Sequence, residues 1–247
     1  HPGAEVPPLD NDTGIREFRL LGDVACDMAD RSHKAYEEQK QFIENASHEL
    51  QTPLAIARGK LELLAESDGM TEEQLKEIDS IYATLGRVVK LNKALLLLSR
   101  IENGQYAETE DVSVDELLDE LLPDLMDIYE HKQIRLERLK GDAPFVIRCN
   151  ASLAHILVTN LVKNALLHNL DGGRLVVQTT PVSLVVKNSG TAPLDEAMLF
   201  KRFAHSVDRK KESTGLGLAI SEAIASGCSL YLSYQWEDGM HVFSLVK

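Results

Sequence analysis

The chain has 247 residues, of which 44% are hydrophobic and 26% are charged, a composition typical of a globular protein with a sizeable apolar core. The formal net charge of -13, without a long basic run, argues against nucleic acid as the main partner. A nucleotide is still compatible with this charge, because backbone amides and a metal ion can hold phosphate groups. Aromatic residues make up only 5% of the chain, while Leu, Ala and Glu are abundant, so helices are expected to dominate.

The cysteines and the first residue indicate the cellular compartment of the protein and whether the chain is part of a longer one. Cys26, Cys149 and Cys228 are odd in number, far apart in sequence and without a C-x-x-C pattern. This predicts reduced thiols in a cytosolic protein, not a disulfide framework or a zinc site. The sequence shows no signal peptide and no apolar run long enough for a membrane span. Because it opens on His1 instead of Met, we expect a fragment of a longer protein.

The first predicted element is a long helix. Residues 1–14 are rich in Pro, Gly and Asp and predict a linker, and apolar residues at helical spacing follow from Ile15 to about Lys40. The pattern continues without a turn to about Glu66, where "SDGMT" predicts the helix end. One stripe, the first-helix seam, comprises Phe42, Ala46, Leu50, Leu54, Ala57, Leu61 and Leu64.

A polar cluster interrupts this helix on the side away from the seam. His48 lies two residues from its neighbouring seam positions, or about 200° of helix rotation, so it is predicted to face solvent. Glu49 is adjacent, Thr52 lies one turn later on the same face, and Pro53 should kink or loosen the helix. These residues alone leave two readings open, a chemically used histidine and an ordinary surface histidine.

The second predicted helix runs from about Thr71 to Gly104 and carries a near-heptad apolar stripe over about four heptads. Its positions include Leu75, Ile78, Tyr82, Leu85, Asn92 and Ser99. Two long helices joined by a short loop form a hairpin, which cannot bury both sides of its seam alone. Two hairpins forming a four-helix bundle, and hence a homodimer, are the economical solution. The alternative is a monomeric hairpin packed on the next domain.

The pattern changes after Glu108 to short alternating strands and helices. The strands are predicted in "VSV", "IRLERL", "FVIRC", "GRLVVQTT", "SLVVKNSG", "SLYLSYQ" and "MHVFSLVK", with helices after the first, third and fifth of them. The predicted fold class is therefore α+β: a long helical hairpin forming a dimeric four-helix bundle, followed by an α/β sandwich with a mostly antiparallel sheet.

Three further stretches carry candidate chemistry. In "NLVKNALLHN", Asn160, Asn164 and His168 share one helical stripe. Asparagine oxygens suit a Mg²⁺ and phosphate site, although the amides could instead cap neighbouring loops. In "STGLGLAISEAIA", Gly215 and Gly217 precede a helix whose free amides could meet an anion, a weak pattern by itself. The third stretch, "KNSGTAPLDEAMLFKRF", is a strand end followed by two phenylalanines.

The order of these motifs closely resembles the sensor histidine kinases of two-component systems, over roughly residues 38–247. "SHELQTPL" resembles their H-box, "NLVKNALLHN" the N-box, "NSGTA" the G1 box, "LFKRF" the F-box and "STGLGLAI" the G2 box. The resemblance implies an N-terminal linker and signalling helix over residues 1–37, a dimerisation and histidine phosphotransfer hairpin over residues 38–106, and a Bergerat-type catalytic ATP-binding domain over residues 109–247.

The resemblance also implies roles for individual residues. His48 would accept the γ-phosphoryl group of ATP, Glu49 would act as a base on its imidazole, and Thr52 would orient a water for phosphatase activity. Asn164 would bind Mg²⁺. The other residues implied to bind ATP are Asn160, His168, Asn188, Gly190, Phe203, Arg209, Lys210, Thr214, Gly215, Leu216, Gly217 and Leu218.

The implied partners are a second copy of the chain and the receiver domain of a response regulator, whose aspartate takes the phosphoryl group. We expect no nucleic-acid partner. The full-length protein is expected to be membrane-anchored through a missing N-terminal region, with this chain the cytoplasmic portion of a bacterial inner-membrane protein. One alternative is a signalling scaffold with a degenerate ATP site. Another, an ATPase of the same sandwich fold acting as a chaperone or in DNA repair, is disfavoured by the hairpin.

The chain departs from the family pattern at several positions. Asn188 stands where an Asp usually faces the adenine amino group, and it offers an acceptor oxygen without charge. Ala192 replaces the second G1 glycine, Leu167 a common basic residue and His168 a usual aromatic one. Gln51 replaces the Arg or Lys of the H-box. These changes bear on nucleotide affinity more than on the class of protein.

Overall fold

The computed structural model describes residues 16–67, 69–106, 108–202 and 215–247, with most of their side chains. The chain divides into two compact units, His1–Ser99 and Arg100–Lys247, which are described separately. The helices are α1 (Arg16–Ala65), α2 (Glu72–Glu102), α3 (Val114–Ile128), a 3-10 helix (Glu130–Lys132), α4 (Ala151–Leu167), α5 (Glu196–Leu199) and α6 (Gly217–Gly227). The strands are β1 (Glu110–Ser113), β2 (Arg135–Leu139), β3 (Val146–Cys149), β4 (Arg174–Thr180), β5 (Ser183–Ser189), β6 (Tyr231–Glu237) and β7 (Met240–Val246).

The first unit contains the two long predicted helices. The first, α1, is one helix of 50 residues that continues through Pro53, so the proline does not end it. The second, α2, starts with a reciprocal capping box, in which the backbone N–H of Gln74 donates to Thr71 Oγ1 at 3.2 Å and the backbone N–H of Thr71 donates to Gln74 Oε1 at 2.9 Å. Glu72 and Glu73 in the first turn add a favourable charge at the helix N-terminus.

Side chains of the two helices meet at Tyr82. Its ring lies 4.5 Å from Arg58 Cζ, and Arg58 also donates a hydrogen bond to Tyr82 Oη. Tyr82 Oη in turn donates to Glu62 Oε1 at 2.9 Å. The hairpin is therefore held by a polar link in addition to its apolar contacts.

The hairpin leaves much of its apolar surface uncovered in the single chain. On the first-helix seam, Leu50 and Leu64 are 49% and 47% exposed. In contrast, Ile78 and Leu96 of the α2 stripe are buried. The other large exposed apolar residues described on these helices are Leu20, Leu21, Val24, Met28, Ile56, Leu63, Leu75, Ile81 and Val88. Exposed apolar area of this extent is typical of a face that another molecule covers.

The second unit is built on a five-stranded sheet of order β2-β4-β5-β7-β6. Strands β2 and β4 are parallel, and the other neighbouring pairs are antiparallel, as expected for a mostly antiparallel sheet. A separate antiparallel pair joins β1 to β3. Leu184 and Val186 of β5 pair with Leu245 and Phe243 of β7, and all four are buried.

The long helices of this unit, α3, α4 and α6, supply the other half of the core. Leu118 of α3, Leu157 and Leu161 of α4 and Ile224 of α6 are essentially inaccessible to solvent. Contacts join α4 to both α3 and α6, so α4 is the central helix. The predicted α+β class, a helical region followed by an α/β sandwich, is confirmed, and the structure adds two short helices that the sequence pattern did not indicate.

The prediction of separate reduced thiols is wrong for two of the three cysteines. Cys149 and Cys228 form a disulfide with a Cα–Cα distance of 5.5 Å, although 79 residues separate them in sequence. Cys149 ends the strand before α4 and Cys228 follows α6, and the packing of α6 against α4 brings these two ends together. Cys26, on α1, is a free cysteine.

Within the described ranges, none of the helices combines the length and hydropathy that crossing a lipid bilayer requires.

Candidate active site

The central helix α4 carries the asparagine stripe and begins at a well-formed cap. Asn150 Oδ1 accepts hydrogen bonds from the backbone N–H groups of Ser152 at 3.0 Å and Leu153 at 3.3 Å. The buried face of α4 anchors it to the core, which leaves Asn160 and Asn164 half-buried along one edge. His168 is the C-cap residue of the same helix. The three polar residues of the stripe therefore stand on a rigid element.

The asparagine stripe and the glycine-rich turn meet in the structure. Asn160 Nδ2 lies 3.4 Å from the backbone oxygen of Gly217, to which it donates, and Ser221 Oγ donates to the same oxygen at 3.0 Å. Because Asn160 uses its amide nitrogen here, its amide oxygen remains as an acceptor. The contact places the first turn of α6 beside the middle of α4.

The two glycines of this turn differ in what they require. Gly215 has a φ of +70°, a conformation that side chains disfavour. A Cβ atom on Gly217 would meet nothing within 4 Å, so packing inside the protein does not require a glycine there. Leu216 between them is fully buried, so any contact it makes with a ligand would use its backbone. Leu218 is half-buried.

Asn164 has the properties of a Mg²⁺ ligand. Its side chain is half-buried and makes no hydrogen bond within the described part of the chain. Among the described residues there is no group of three or more His, Cys, Asp or Glu side chains that could hold a metal. An amide oxygen with remaining ligands from water and phosphate is nonetheless a donor set that Mg²⁺ accepts. The residues present thus fit a metal bound together with a nucleotide.

Asn188, the next predicted site residue, lies near the end of β5. It is 1% exposed and stands between Leu175 of β4 and His241 of β7 in the sheet register. Its Nδ2 donates to the backbone oxygen of Ser189 at 3.2 Å, which leaves Oδ1 as the acceptor. An acceptor in this position fits the predicted hydrogen bond from an adenine amino group.

Gly190 follows β5 and is a glycine for reasons of packing. A Cβ atom there would lie 2.2 Å from His241 Nε2 and 2.9 Å from Trp236 Cζ3. The backbone N–H of Gly190 donates to Gly239 at 3.0 Å, so the loop is fastened to the turn between β6 and β7. Gly190 therefore lets the loop that follows Asn188 approach His241 closely.

His241 belongs to a buried polar group that the sequence patterns did not indicate. His241 Nδ1 lies 3.0 Å from Tyr234 Oη, which accepts a hydrogen bond from the backbone N–H of Leu194 at 3.0 Å. Burial lowers the pKa of His241 and raises the pKa of Tyr234. Both side chains are thus held in their neutral forms near neutral pH. A cavity of about 440 Å³ opens beside them, lined by Pro193, Leu194, Glu196 and residues 234–237.

Lys132 is a second residue that the patterns missed. Its buried ammonium group donates to the backbone oxygens of Leu166 at 2.8 Å, Leu167 at 2.6 Å and Asn169 at 3.4 Å. Leu166 and Leu167 are the last two residues of α4, shortly after Asn164, and Asn169 follows the helix cap. A cation at this position satisfies carbonyls that have no partner within the helix and complements the helix dipole.

Four predicted site residues and the side chain of His48 lie outside the described part of the chain. The four residues are Phe203, Arg209, Lys210 and Thr214. His48 itself is part of α1. The exposed residues Glu49 and Thr52 follow it on α1.

Two protein families match the chain in adjacent segments. The His Kinase A (phospho-acceptor) domain matches residues 38–104, and the histidine kinase-, DNA gyrase B- and HSP90-like ATPase matches residues 149–243. Together these segments cover more than half of the chain. The first contains the His48 motif, and the second contains the asparagine stripe, the Asn188 loop and the glycine-rich turn.

Relatives in sequence and structure agree with these matches. The sensor protein CutS of Streptomyces coelicolor is 31% identical over 233 residues, which are 90% of this chain and 56% of CutS. The probable sensor histidine kinase TcrY of Mycobacterium tuberculosis is 33% identical over 234 residues, 91% of this chain and 48% of TcrY. The crystal structure of full-length ShkA in complex with AMPPNP has a TM-score of 0.65 at 20% identity and covers 83% of this chain and 45% of ShkA, which shows likeness of fold.

The chain spans about half the length of the curated relatives it matches. Both family matches, the order of the motifs and the sequence relatives lead to the same assignment. The chain belongs to the sensor histidine kinases of two-component systems.

Proposed function

We propose that this chain is the kinase core of a two-component sensor, which phosphorylates itself on His48 with ATP and passes the phosphoryl group to an aspartate of a response regulator. The observation that carries the proposal is the contact between Asn160 and Gly217, which joins the asparagine stripe and the glycine-rich turn into one site. The match of residues 38–104 to the phospho-acceptor domain supports His48 as the acceptor.

The domain division follows from the same reasoning. We propose a linker and signalling helix over residues 1–37, a dimerisation and phosphotransfer hairpin over residues 38–106 and a catalytic domain over residues 109–247. The exposed apolar residues of the hairpin support a homodimer through a four-helix bundle, because a partner hairpin would cover them. As the resemblance implies, we propose a membrane-anchored whole protein with this chain on the cytoplasmic side.

The catalytic domain binds ATP and presents its γ-phosphate. Asn188 Oδ1 accepts the hydrogen bond from the adenine amino group, and the backbone of the Gly215–Gly217 turn approaches the phosphates. When bound there, Mg²⁺ would supply positive charge to neutralise the phosphate oxygens. Asn164 and Asn160 offer amide oxygens toward this metal and its water ligands. Lys132 keeps the end of α4, and with it Asn164, in place.

His48 carries out the group transfer. A ring nitrogen of His48 attacks the γ-phosphorus, the bond from this phosphorus to the β–γ bridging oxygen breaks, and ADP leaves. Glu49, one residue along α1, takes the proton that the imidazole loses and orients the ring. A receiver aspartate then takes the phosphoryl group from His48. Thr52, four residues after His48, orients a water that hydrolyses the aspartyl phosphate of the regulator.

The proposal is tested by substitution of the acceptor. His48→Gln should abolish the incorporation of acid-labile, base-stable phosphate from radiolabelled ATP, while nucleotide binding persists. His33→Gln, a matched change on the same helix at an exposed position, should leave labelling intact. Labelling that persists in His48→Gln would show that another residue is the acceptor.

The second candidate function is a scaffold that docks a response regulator without efficient ATP turnover. The uncharged Asn188 and the replacement Ala192 favour it, because both lie where the family holds adenine. Binding of a fluorescent ATP analogue separates the two. Affinity that depends on Mg²⁺ supports the kinase, and its absence supports the scaffold.

A further inference from the structure

The disulfide of the second unit joins the ends of two helices that carry the candidate nucleotide site. Cys149 directly precedes Asn150, the N-cap residue of α4. Cys228 is the C-cap residue of α6, and its backbone N–H donates to Ile224 at 3.0 Å. The link therefore ties the start of the asparagine helix to the end of the helix that follows the glycine-rich turn.

The other end of this helix pair is the nucleotide end. Asn160, near the middle of α4, is bonded to Gly217, the first residue of α6. Cys149 and Asn160 are separated along α4 by about 16 Å, and Gly217 and Cys228 along α6 by about the same length, at 1.5 Å per residue. The two helices thus run antiparallel. The disulfide fixes their relative position at one end, and the Asn160–Gly217 hydrogen bond joins them at the other.

The two cysteines differ in exposure. Cys149 is completely buried, whereas Cys228 is half-buried at the end of its helix. Because of this difference in exposure, we expect a small thiolate to attack the disulfide at Cys228, with the thiolate of Cys149 as the leaving group.

The proposed cytoplasmic location of the chain suggests a role for the disulfide other than stabilising the fold. Thiol systems keep most cytoplasmic cysteines reduced, and disulfides found there are usually transient, catalytic or redox-sensing. This step rests on the proposed function, which places the kinase core in the cytoplasm. A disulfide that joins the two site helices in such a compartment is positioned to couple nucleotide binding to the thiol pool.

We propose that Cys149 and Cys228 form a thiol–disulfide exchange site for glutathione-type small thiols, and that its oxidation strengthens nucleotide binding by fixing α6 against α4. In reduction, a small thiolate attacks the sulfur of Cys228, the protein S–S bond breaks and the Cys149 thiolate leaves and takes up a proton. A second small thiolate attacks the small-molecule sulfur of the mixed disulfide and releases Cys228. Two small thiols become one small disulfide, and the protein gains two electrons and two protons.

The expected coupling is that the reduced form binds nucleotide more weakly. With the covalent link gone, α6 has more freedom before nucleotide binds, and binding must then order it. We expect a loss of about fivefold in affinity, at the lower end of typical couplings between sites. Because α6 also packs against α4 without the covalent link, we expect the reduced domain to stay folded.

The test uses the full chain, equilibrated in buffers with different ratios of reduced to oxidised glutathione. Thiol labelling followed by mass spectrometry measures the fraction of protein molecules in which the Cys149–Cys228 bond is formed. Titration with a fluorescent ATP analogue measures the nucleotide affinity of the same samples. Wild type and Cys26→Ser, the matched control, should lose affinity as the bond opens. Cys228→Ser and Cys149→Ala should have the affinity of the reduced wild type in every buffer.

Three outcomes overturn the proposal. The bond could persist at every glutathione ratio, which would make it a permanent structural link. The bond could open while the oxidised and reduced forms bind nucleotide equally well, which would show that the disulfide does not affect the nucleotide site. Or both cysteine variants could retain the redox response, which would assign it elsewhere. Failure of the proposed function has a different result, since no nucleotide would then bind in either redox state.

Discussion

At the scale of single residues, Asp115 holds together four segments of the catalytic domain. Its Oδ1 accepts hydrogen bonds from Thr179 Oγ1 at 2.6 Å and from Arg138 Nη2 at 2.5 Å. Its Oδ2 accepts from the backbone N–H of Phe145 at 2.8 Å. These partners lie on β4, on β2 and in the segment before β3, while Asp115 itself is in the first turn of α3. One carboxylate thus joins the helix layer to the sheet.

Asp115 should make the stability of the catalytic domain depend on acid pH. Burial tends to raise the pKa of its carboxyl, but the hydrogen bonds from Thr179, Phe145 and Arg138 outweigh burial, and the pKa is lowered. Its stabilising contribution is therefore present above the pKa of the unfolded chain, about 3.9, and is lost as the pH falls through the lower folded value. We expect Asp115→Asn to lower the free energy of unfolding by about 3–5 kcal/mol at pH 7, because the guanidinium of Arg138 loses its carboxylate partner. Urea unfolding at pH 7 and at about pH 3 measures both effects.

Asp119→Asn provides the matched control for this prediction. Asp119 is on the same helix and pairs with Lys140 at 2.6 Å, but both side chains are about half-exposed. Such surface pairs contribute about 0–1 kcal/mol, so this variant should unfold much like wild type. Equal losses in Asp115→Asn and Asp119→Asn, or a loss that does not shrink toward low pH, would contradict the role given to Asp115.

At the scale of elements, the central helix α4 is fixed at both ends by polar side chains from outside its regular turns. Asn150 caps its N-terminus, and Lys132, from the 3-10 helix after α3, binds the carbonyls at its C-terminus. The backbone oxygen of Lys132 also accepts from the N–H of Gly172 at 2.7 Å, so the loop after α4 is attached to the same residue. The element that offers Asn160 and Asn164 is thereby held in one position.

Lys132→Met should loosen the end of α4 and weaken Mg²⁺-dependent nucleotide binding. Methionine keeps the apolar stem but removes the donor, so buried carbonyls lose a partner at a cost of about 1–3 kcal/mol. Hydrogen exchange at residues 164–168 should become faster, and the affinity for Mg²⁺ with an ATP analogue should fall by about tenfold, by analogy with lost support around metal ligands. Lys140→Met, at an exposed ion pair, is the control and should change neither. Unchanged exchange in Lys132→Met would refute the capping role.

Local sequence patterns predicted the elements because those depend on neighbours in the chain. The period of apolar residues indicated α1 and α2, the alternation of side chains indicated the strands, and the asparagine spacing placed Asn160 and Asn164 on one stripe. Contacts between distant segments leave no such pattern. The pairing of Cys149 with Cys228 spans 79 residues, and Lys132 reaches Leu166 across 34 positions. Neither "EHKQI" nor the isolated cysteines indicate their partners, which only the packed fold brings together.

At the scale of the whole molecule, the hairpin and the catalytic domain differ in how completely each buries its own core. The catalytic domain covers Leu118, Leu157 and Phe243 almost completely. The hairpin leaves the seam residues Leu50 and Leu64 about half-exposed, since two helices can cover only one side of each other. A second hairpin would cover them and would give the long helices the apolar core that a single copy lacks.

Leu64→Glu should therefore convert the proposed dimer into a monomer. A carboxylate in a four-helix core would be desolvated without a partner, whereas in the monomer it stays in water, so the change disfavours association by several kcal/mol. Ala55→Glu adds the same charge at an exposed position outside the seam and should leave the dimer intact. Sedimentation equilibrium over a range of protein concentrations gives the mass of wild type and both variants. If wild type is monomeric throughout, or if Leu64→Glu and Ala55→Glu dissociate equally, the seam is not the dimer core and a single hairpin must be stable by other contacts.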